Sequence, residues 1–387
     1  GGVSPVDSIN FSVADTVSGR FNARSTVTGL TNGQEYWFYV TALDTADYES
    51  SASFQSKTEP YFQGPKWYVS YDAGSGSKEG SPEDPMRDIQ DGIDAASEGD
   101  TVFVLPGTYS QNDDRNLEFK ILIQGNVSPK PVVLMSRGGP DSTIIDCEGN
   151  KRAFNITSGT DTTLKIIGFN IINGGENDGL GTAISVRGLF GATSGAVFEN
   201  CIIEDADGYE QAAIHLDNSF VIFRDCVIKN NRRHNNGQGD GFEGGGLHIW
   251  YSNCVLERTK VVGNYTENTG PSGSIWHYGT GIYATDSYLV LKNSLIADNY
   301  AVDSESSSYS EGAGIVANFG TTVLINTTIA GNQGLPASNG TGFSNGGNPD
   351  ILPSLIILNS IIAGNTPSKY QISLRYNNSD YEYFAME

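Results

Sequence analysis

Two histidines and a set of aromatic residues have the chemistry for recognising a sugar. His215 and His248 stand third in two similar short segments, and Tyr283 holds the same place in the next segment. Imidazoles exchange hydrogen bonds with hydroxyl groups, and flat aromatic faces stack on pyranose rings. The predicted ligand-binding residues are His215, His248, Trp250, Tyr251, Trp276, His277, Tyr278 and Tyr283.

A second candidate set is cationic. Arg224, Arg258 and Lys292 are predicted to precede the turn residue of three successive units, following Glu199 in the unit before. A row of cations on an acidic protein favours a uronate chain, and in a β-elimination lyase such a residue takes the proton α to the carboxylate. The His215, His248 and Tyr283 column is the other lyase candidate. The alternative is a solvated strand in which Glu199 pairs with Arg224.

The signals for metal binding are weaker. Asp178 and Asp240 lie in acidic Gly loops, and these two with Glu243 are the candidates for a Ca²⁺ site. The spaced or clustered Asp residues expected of a calcium-dependent lyase or a polygalacturonase-like hydrolase are not apparent. Cys201 and Cys226 are predicted to stack on adjacent units as small buried residues, without a disulfide.

The elements that must position these residues repeat along the chain. The segments around Asn293, Asn326 and Asn359 read almost alike and are spaced 33 residues apart. A fixed period with variable insertions is typical of a solenoid. The equivalent upstream turn positions are predicted to be Thr259, Asp225 and Asn200. This register gives Glu257 an inward-facing place, which is costly for an unpaired carboxylate.

Each unit also contains a short strand that alternates apolar and variable residues. Period-2 alternation indicates a strand with one buried face. Stacked units would form one buried column from Phe154, Ile184, Ile214, Leu247, Ile282 and Ile315. His215 and His248 would then lie about 5 Å apart on the outward face, with Ser185 below and Tyr283 above. The Asn and Asp turn residues would bond one unit to the next.

These repeats resemble the right-handed parallel β-helix of the pectate-lyase type. Strand starts such as Gly279-Thr-Gly-Ile-Tyr283 and ends such as Asn326-Thr-Thr-Ile-Ala-Gly-Asn332 are similar to repeats of polymorphic outer-membrane and related bacterial surface proteins. The resemblance covers roughly residues 66 to 387. It implies a fold shared by lyases, hydrolases, adhesins and tail spikes, so it does not assign an activity.

Residues 1–60 form a different predicted module. The spacing Leu30-x-x-Gly33-x-x-Tyr36 resembles the tyrosine corner of a fibronectin type III domain, and the segment is too short for a whole one. Residues 61–66 are predicted as a linker and 67–387 as the β-helix, with regular coils at about 101–365. A capping helix is expected at about 85–97, begun by Asp84 and Pro85. The fold class is therefore all-β, a β-helix preceded by a partial β-sandwich segment.

Longer units carry extra residues in one gap of the repeat. These insertions are predicted to project from one edge of the solenoid as a wall of loops, where repeat proteins usually bind ligands. The predicted insertions are Asn231–Gly245, Asn264–Thr280, Asn299–Ala313 and Asn332–Leu352.

Composition limits the partners. The chain has 45 acidic and 23 basic residues, a net charge of −22, which disfavours nucleic acid and anionic membranes. No apolar run is long enough to span a bilayer, and no signal peptide opens the sequence. We expect an extracellular or cell-surface module that binds a glycan or a surface protein. The alternatives are a lyase acting on acidic glycans and a filament subunit assembled through the solenoid ends.

Overall fold

The computed structural model describes most of the chain in two compact units, residues Gly1–Gln63 and Gly64–Glu387. The described residues are 16–17, 20–21, 30, 34–39, 41, 46, 48–74, 78–110, 114–123, 126–157, 159–188, 193–235, 241–270, 276–303, 308–336, 341–346, 354–367, 371–375 and 381–384.

The first unit contains two antiparallel strand pairs. Strands β1 (Thr16–Val17) and β2 (Arg20–Phe21) form one pair, and β3 (Tyr36–Phe38) and β4 (Ser56–Thr58) form the other. Tyr36, the predicted corner residue, is half-buried. The fibronectin type III resemblance remains a prediction.

The second unit is a parallel β-solenoid in which each full coil contributes one strand to each of three sheets. Sheet A contains β5 (Lys66–Val69), β6 (Thr101–Val104), β10 (Val133–Ser136), β13 (Lys165–Ile167), β16 (Ser194–Glu199), β20 (Ser219–Arg224), β25 (Asn253–Glu257), β30 (Tyr288–Lys292), β35 (Thr321–Ile325) and β38 (Ser354–Leu358). Sheet B contains β7 (Gly107–Tyr109), β11 (Thr143–Asp146), β14 (Asn170–Ile172), β17 (Ile202–Glu204), β21 (Val227–Lys229), β26 (Lys260–Val262), β31 (Leu295–Ala297), β36 (Thr328–Ala330) and β39 (Ile361–Ala363). Sheet C contains β12 (Phe154–Ile156), β15 (Ile184–Arg187), β19 (Ile214–Asp217), β24 (Leu247–Trp250), β29 (Ile282–Thr285), β34 (Ile315–Asn318), β37 (Phe343–Gly346), β40 (Ile372–Arg375) and β41 (Tyr381–Phe384).

The predicted fold class is confirmed. The apolar column of sheet C pairs in register from Phe154 to Ile315, and all of its members are fully buried. Two further coils extend the column through Phe343 and Ile372. A single coil could not bury these side chains, and stacking gives each of them an apolar neighbour above and below.

The helix α1 (Ile89–Ala95) is shorter than predicted and covers the first coils. It begins after Asp88, because the backbone of Met86 is already bonded to strand β5 through Tyr68 and Ser70. Ile89 and Ile93 are fully buried, as expected for a cap over the core. No helix among the described residues is long and apolar enough to cross a membrane.

Two columns of asparagine side chains join the coils. On the exposed turn between sheets A and B, Asn326 donates to Asn293 and Asn359 donates to Asn326, as predicted. Each of these residues has a left-handed backbone, with φ between 49° and 53°. A second column, which the sequence reading did not anticipate, is buried at the end of the sheet B strands. Its side-chain amides bond in series from coil to coil and involve Asn231, Asn264, Asn299, Asn332 and Asn365.

The predicted register slips by one residue in one coil. Arg258, with φ 49°, occupies the left-handed turn position that was predicted for Thr259. Thr259 instead follows Cys201 and Cys226 in a buried column, where its hydroxyl bonds to backbone carbonyls. Glu257 therefore faces outward, and Leu256 takes the inward place. The prediction that the Glu257 side chain faces inward was wrong.

The insertions stack on one edge of the solenoid, as predicted, and they form two small parallel sheets. Insertion sheet 1 contains β18 (Asp207–Tyr209), β22 (Arg232–Asn235), β27 (Tyr265–Asn268) and β32 (Tyr300–Val302). Insertion sheet 2 contains β23 (Phe242–Glu243), β28 (Trp276–Tyr278) and β33 (Tyr309–Glu311). The bounds predicted for the fourth insertion were wrong, because strand β37 intervenes and Phe343 is a core residue.

The remaining strands lie near the two ends of the solenoid unit. Strands β8 (Lys120–Ile123) and β9 (Asn126–Pro129) form a hairpin. Strand β41 runs antiparallel to β40, so the last coil strand of sheet C has a neighbour along its edge. A paired edge presents fewer unsatisfied backbone groups than an open one.

Candidate functional site

The histidine column lies where it was predicted, but it is covered. Ser185, His215, His248 and Tyr283 pair in register along sheet C. The ring centroids of His215 and His248 are 5.0 Å apart, and those of His248 and Tyr283 are 5.4 Å apart. His215 and Tyr283 are only 9% and 8% exposed. The outward face of sheet C at this column is therefore an inner surface, contrary to the expectation of an open ladder.

Burial and nearby charges determine the protonation of this column. Burial, together with the positive charges of Arg187, Arg233 and Arg152, lowers the pKa of His215 to about 4. Burial also lowers the pKa of His248 well below its usual value, with smaller contributions from His215 and Arg233. Both imidazoles are consequently neutral at pH 7 and can each donate one hydrogen bond and accept another.

Tyr283 links the column to the insertions. Its hydroxyl group hydrogen-bonds with Asn318 and Glu243, and burial raises its pKa above the usual value. The Glu243 carboxylate also lies 3.7 Å from Nε2 of His248. The ring of Tyr278, on insertion sheet 2, is 6.2 Å from the ring of Tyr283. A polar and aromatic path therefore runs from the insertion surface to the buried histidines.

Insertion sheet 2 carries an exposed aromatic cluster, which we define as Trp276, Tyr278 and Tyr309. The Trp276 ring stacks with Tyr309 at 5.0 Å and an interplanar angle of 19°, and it is nearly parallel to Tyr278 at 5.7 Å. Trp276 and Tyr309 remain 42% and 41% exposed. Large aromatic faces held in fixed positions and open to solvent are suited to stacking on a ligand.

His277 does not belong to this surface, although it was predicted as a ligand-binding residue. It is fully buried between the two insertion sheets, where Nδ1 lies 2.8 Å from Oγ1 of Thr266 and Nε2 lies 3.4 Å from Asp303. Asn268 also donates to the Asp303 carboxylate. Burial is the largest influence on the pKa of His277 and lowers it, opposed by Asp303. The side chain therefore joins the two insertion layers.

Trp250 and Tyr251 form a separate aromatic pair. Their ring centroids are 5.4 Å apart, and they are 42% and 57% exposed. They lie at the end of strand β24 and in the turn that follows, whereas the insertions precede that strand. Tyr251 has a left-handed backbone with φ 46°, a conformation that is unfavourable for a bulky side chain. The two aromatic groups therefore flank the sheet C strands at opposite ends.

The predicted row of cations is not formed. Because of the one-residue slip, the outward column on sheet A reads Glu199, Arg224, Glu257 and Lys292. Arg224 donates to Glu257 at 3.0 Å and to Glu199 at 3.3 Å. Arg258 lies in the turn, where it pairs with Asp225 at 2.7 Å and 2.9 Å and with Glu257 at 2.7 Å. Lys292 is exposed. Acidic neighbours thus neutralise the two arginines, which disfavours a uronate groove at this column.

The calcium candidates do not converge. Asp178 accepts a hydrogen bond from the buried Arg152. Glu243 lies against His248 and Tyr283, and Asp240 falls outside the described residues. Within the described ranges, no group of three or more His, Cys, Asp or Glu side chains is arranged to hold a metal ion.

The four cysteines are buried and free. Burial is the largest influence on the pKa of each thiol, and it raises the pKa values of Cys147, Cys226 and Cys254. The Sγ atoms of Cys201 and Cys226 point at backbone carbonyls, as the Thr259 hydroxyl does one coil later. This placement agrees with the prediction of small buried residues in a ladder.

A third set of residues in this region was missed by the sequence reading. The positive charges of Arg152, Arg187 and Arg233 all lower the pKa of His215, although these residues come from three distant parts of the chain. Arg233 is buried on insertion sheet 1, and its neighbour Arg232 pairs outward with Asp207 and Glu267. In a strand, period-2 alternation places Arg233 on the face opposite Arg232 and His234, and this is the sequence signal that could have identified it.

The chain is similar at low identity to several solved structures, including the following three. The chain is similar to a rhamnogalacturonan lyase (15% identity, TM-score 0.32, covering 76% of this chain and 65% of that chain). It is also similar to a pectin methylesterase mutant in complex with a hexasaccharide (14%, TM-score 0.29, covering 70% and 79%). The third is a family 28 exopolygalacturonase of Yersinia enterocolitica (12%, TM-score 0.23, covering 92% and 83%).

No curated protein matches the sequence. Residues 72–266, which include the first coils, His215, His248 and the first predicted insertion, match a family described as protein of unknown function (DUF1565). That match covers half of the chain. The protein therefore belongs to the DUF1565 family.

Proposed function

We propose that the solenoid unit is an extracellular glycan-binding module. The observation that carries this proposal is the exposed aromatic cluster of Trp276, Tyr278 and Tyr309, which is held by stacked strands and continues inward to Tyr283 and His248. Rigid aromatic faces supply contact area at low entropic cost, and the adjoining polar groups can orient sugar hydroxyls. The pair Trp250 and Tyr251 supplies a second stacking surface at the opposite end of the sheet C strands.

Binding by exposed aromatic residues requires no catalytic group. The cationic lyase candidate would use Arg224 and Arg258. These arginines pair with Glu199, Glu257 and Asp225, so they do not form a free row of positive charge. The lyase alternative then depends on the buried His215, His248 and Tyr283. Recording the absorbance of unsaturated uronates during incubation with alginate, pectin and chondroitin would detect it, and light scattering would detect filaments.

The test is a glycan array probed with wild-type protein and three tryptophan variants. Trp276→Ala should weaken binding about tenfold or more, which corresponds to roughly 1.4 kcal/mol of lost contact energy. Trp250→Ala reports on the second surface. Trp37→Ala is the matched control, because Trp37 is 57% exposed in the other unit. Binding that is unchanged in Trp276→Ala and in Trp250→Ala would remove the proposal.

A further inference from the structure

We propose that Glu243 and Glu311 select the glycan, so that the aromatic cluster binds neutral sugar chains and excludes chains of uronic acid. The inference rests on the proposed function, because it concerns the ligand of the same surface. Glu243 was predicted only as a calcium candidate, and Glu311 had no predicted role.

The register of insertion sheet 2 places the two carboxylates on either side of Tyr278. Glu243 pairs with Tyr278 on one neighbouring strand, and Glu311 pairs with Tyr278 on the other. Trp276 pairs with Tyr309 in an adjoining column, two residues earlier on the same strands. Because side chains two residues apart share one face of a strand, the aromatic rings and the carboxylates form a single surface.

Tight turns hold this surface against sheet C. Each strand of insertion sheet 2 ends before a glycine whose φ lies between 53° and 75°, and these glycines are Gly244, Gly279 and Gly312. A Cβ at any of the three would lie 2.1 to 2.3 Å from a carbonyl oxygen of the sheet C strand that follows. Glu243 consequently lies 3.7 Å from Nε2 of His248, and the Ser344 hydroxyl donates to Glu311. These contacts fix both carboxylates where the two sheets meet.

Among the described residues, no Lys or Arg pairs with either carboxylate. The three strands of insertion sheet 2 contain no basic residue apart from His277. His248 lies beside Glu243 but is neutral at pH 7, because burial lowers its pKa well below the usual value. The buried Arg233 donates to the backbone carbonyl oxygen of Glu243 and not to its carboxylate. The Glu243 side chain is 41% exposed and Glu311 is half-buried, so both charges act on a bound ligand.

A uronate ring stacked on the cluster would lie close to one of these charges. Tyr309 lies two residues before Glu311 on one strand, which corresponds to about 7 Å. This distance is shorter than the Debye length of about 8 Å at physiological ionic strength, so salt only partly screens the repulsion. Ionised carboxylates accept hydrogen bonds, and the hydroxyl groups of a neutral sugar can donate them. The same two side chains therefore repel a uronate and orient a neutral ring.

The experiment is an array of neutral glycans, each printed beside the same chain oxidised to the uronate at its primary hydroxyl groups. The wild type should bind the neutral form about tenfold or more tightly than the oxidised form, because like charges oppose association. Glu243→Gln and Glu311→Gln should each reduce that preference by improving binding of the oxidised form. Glu199→Gln is the matched control, since its carboxylate is 37% exposed but lies on sheet A.

The outcomes separate this inference from the proposed function. Absence of binding to every glycan removes both. Tighter binding of the oxidised chains leaves glycan binding in place and overturns the inference, as does a preference that all three glutamine variants retain equally. If Glu243→Gln and Glu311→Gln do not fold, the wild type supplies a second measurement. Added sodium chloride should improve its binding of oxidised chains relative to neutral ones, and a ratio that is independent of salt would also overturn the inference.

Discussion

Replacing Asn299 in the buried asparagine column should be one of the most destabilising single polar substitutions in the solenoid. Asn299 is fully buried, and its side-chain nitrogen donates to Val261 at 3.0 Å and to Asn332 at 2.9 Å. Its side-chain oxygen accepts from the backbone and side-chain nitrogens of Asn264, both at 3.0 Å. The column thus joins the Asn299 coil to the coil on each side.

Asn299→Ala removes all four of these bonds and leaves the backbone N–H of Asn264 and one of its side-chain N–H groups buried without their acceptor. Each unsatisfied buried group costs about 1–3 kcal/mol, so we expect a loss of about 3–5 kcal/mol in the free energy of unfolding. The control is Asn326→Gly in the exposed column, where φ 49° suits glycine and water can replace the lost bonds. That variant should lose no more than about 1 kcal/mol.

Urea unfolding followed by circular dichroism measures both variants. Because solenoid coils contact mainly their neighbours, native-state hydrogen exchange should also show the loss of protection concentrated in the coils of Asn264, Asn299 and Asn332. If the free energies of unfolding of Asn299→Ala and Asn326→Gly differ by less than about 1 kcal/mol, the reasoning is refuted. Burial would then not determine how strongly an asparagine column stabilises the fold.

Three further predictions follow from buried groups. The pKa of His215 is lowered from 6.5 to about 4, so the unfolded state binds the proton first and stability should fall as the pH drops from 6.5 towards 4. Between about pH 7.5 and pH 5, the free energy of unfolding measured in urea should fall by roughly 2 kcal/mol, and by less in His215→Asn. An equal fall in the variant would contradict this prediction. Gly281→Ala should destabilise the fold by about 2 kcal/mol or more in urea unfolding, because a Cβ would lie 2.6 Å from the Gly314 carbonyl oxygen and 2.9 Å from Nδ2 of Asn299. Cys201 and Cys226 should resist alkylation in the folded protein and react after unfolding, as mass spectrometry would show; labelling at similar rates in both states would argue against their burial.

The sequence alone determined the solenoid and much of its register. Alternation with period 2 identified the column from Phe154 to Ile315, and the spacing of Asn293, Asn326 and Asn359 identified the turn. Both signals arise because stacking places equivalent residues in equivalent surroundings, so the sequence repeats what the structure repeats. The neighbour relation of His215, His248 and Tyr283 followed directly from that register.

Tertiary structure decided the rest of the candidate site. A single slip moved Arg258 into the turn and Glu257 outward, because one residue of shift in a strand exchanges its two faces. Whether an outward face meets solvent depends on what packs over it. The insertions form their own sheets, and their residues Glu243 and Tyr278 contact the buried column of His248 and Tyr283. Contacts between such distant segments leave no periodic signal, so only the folded coordinates show them.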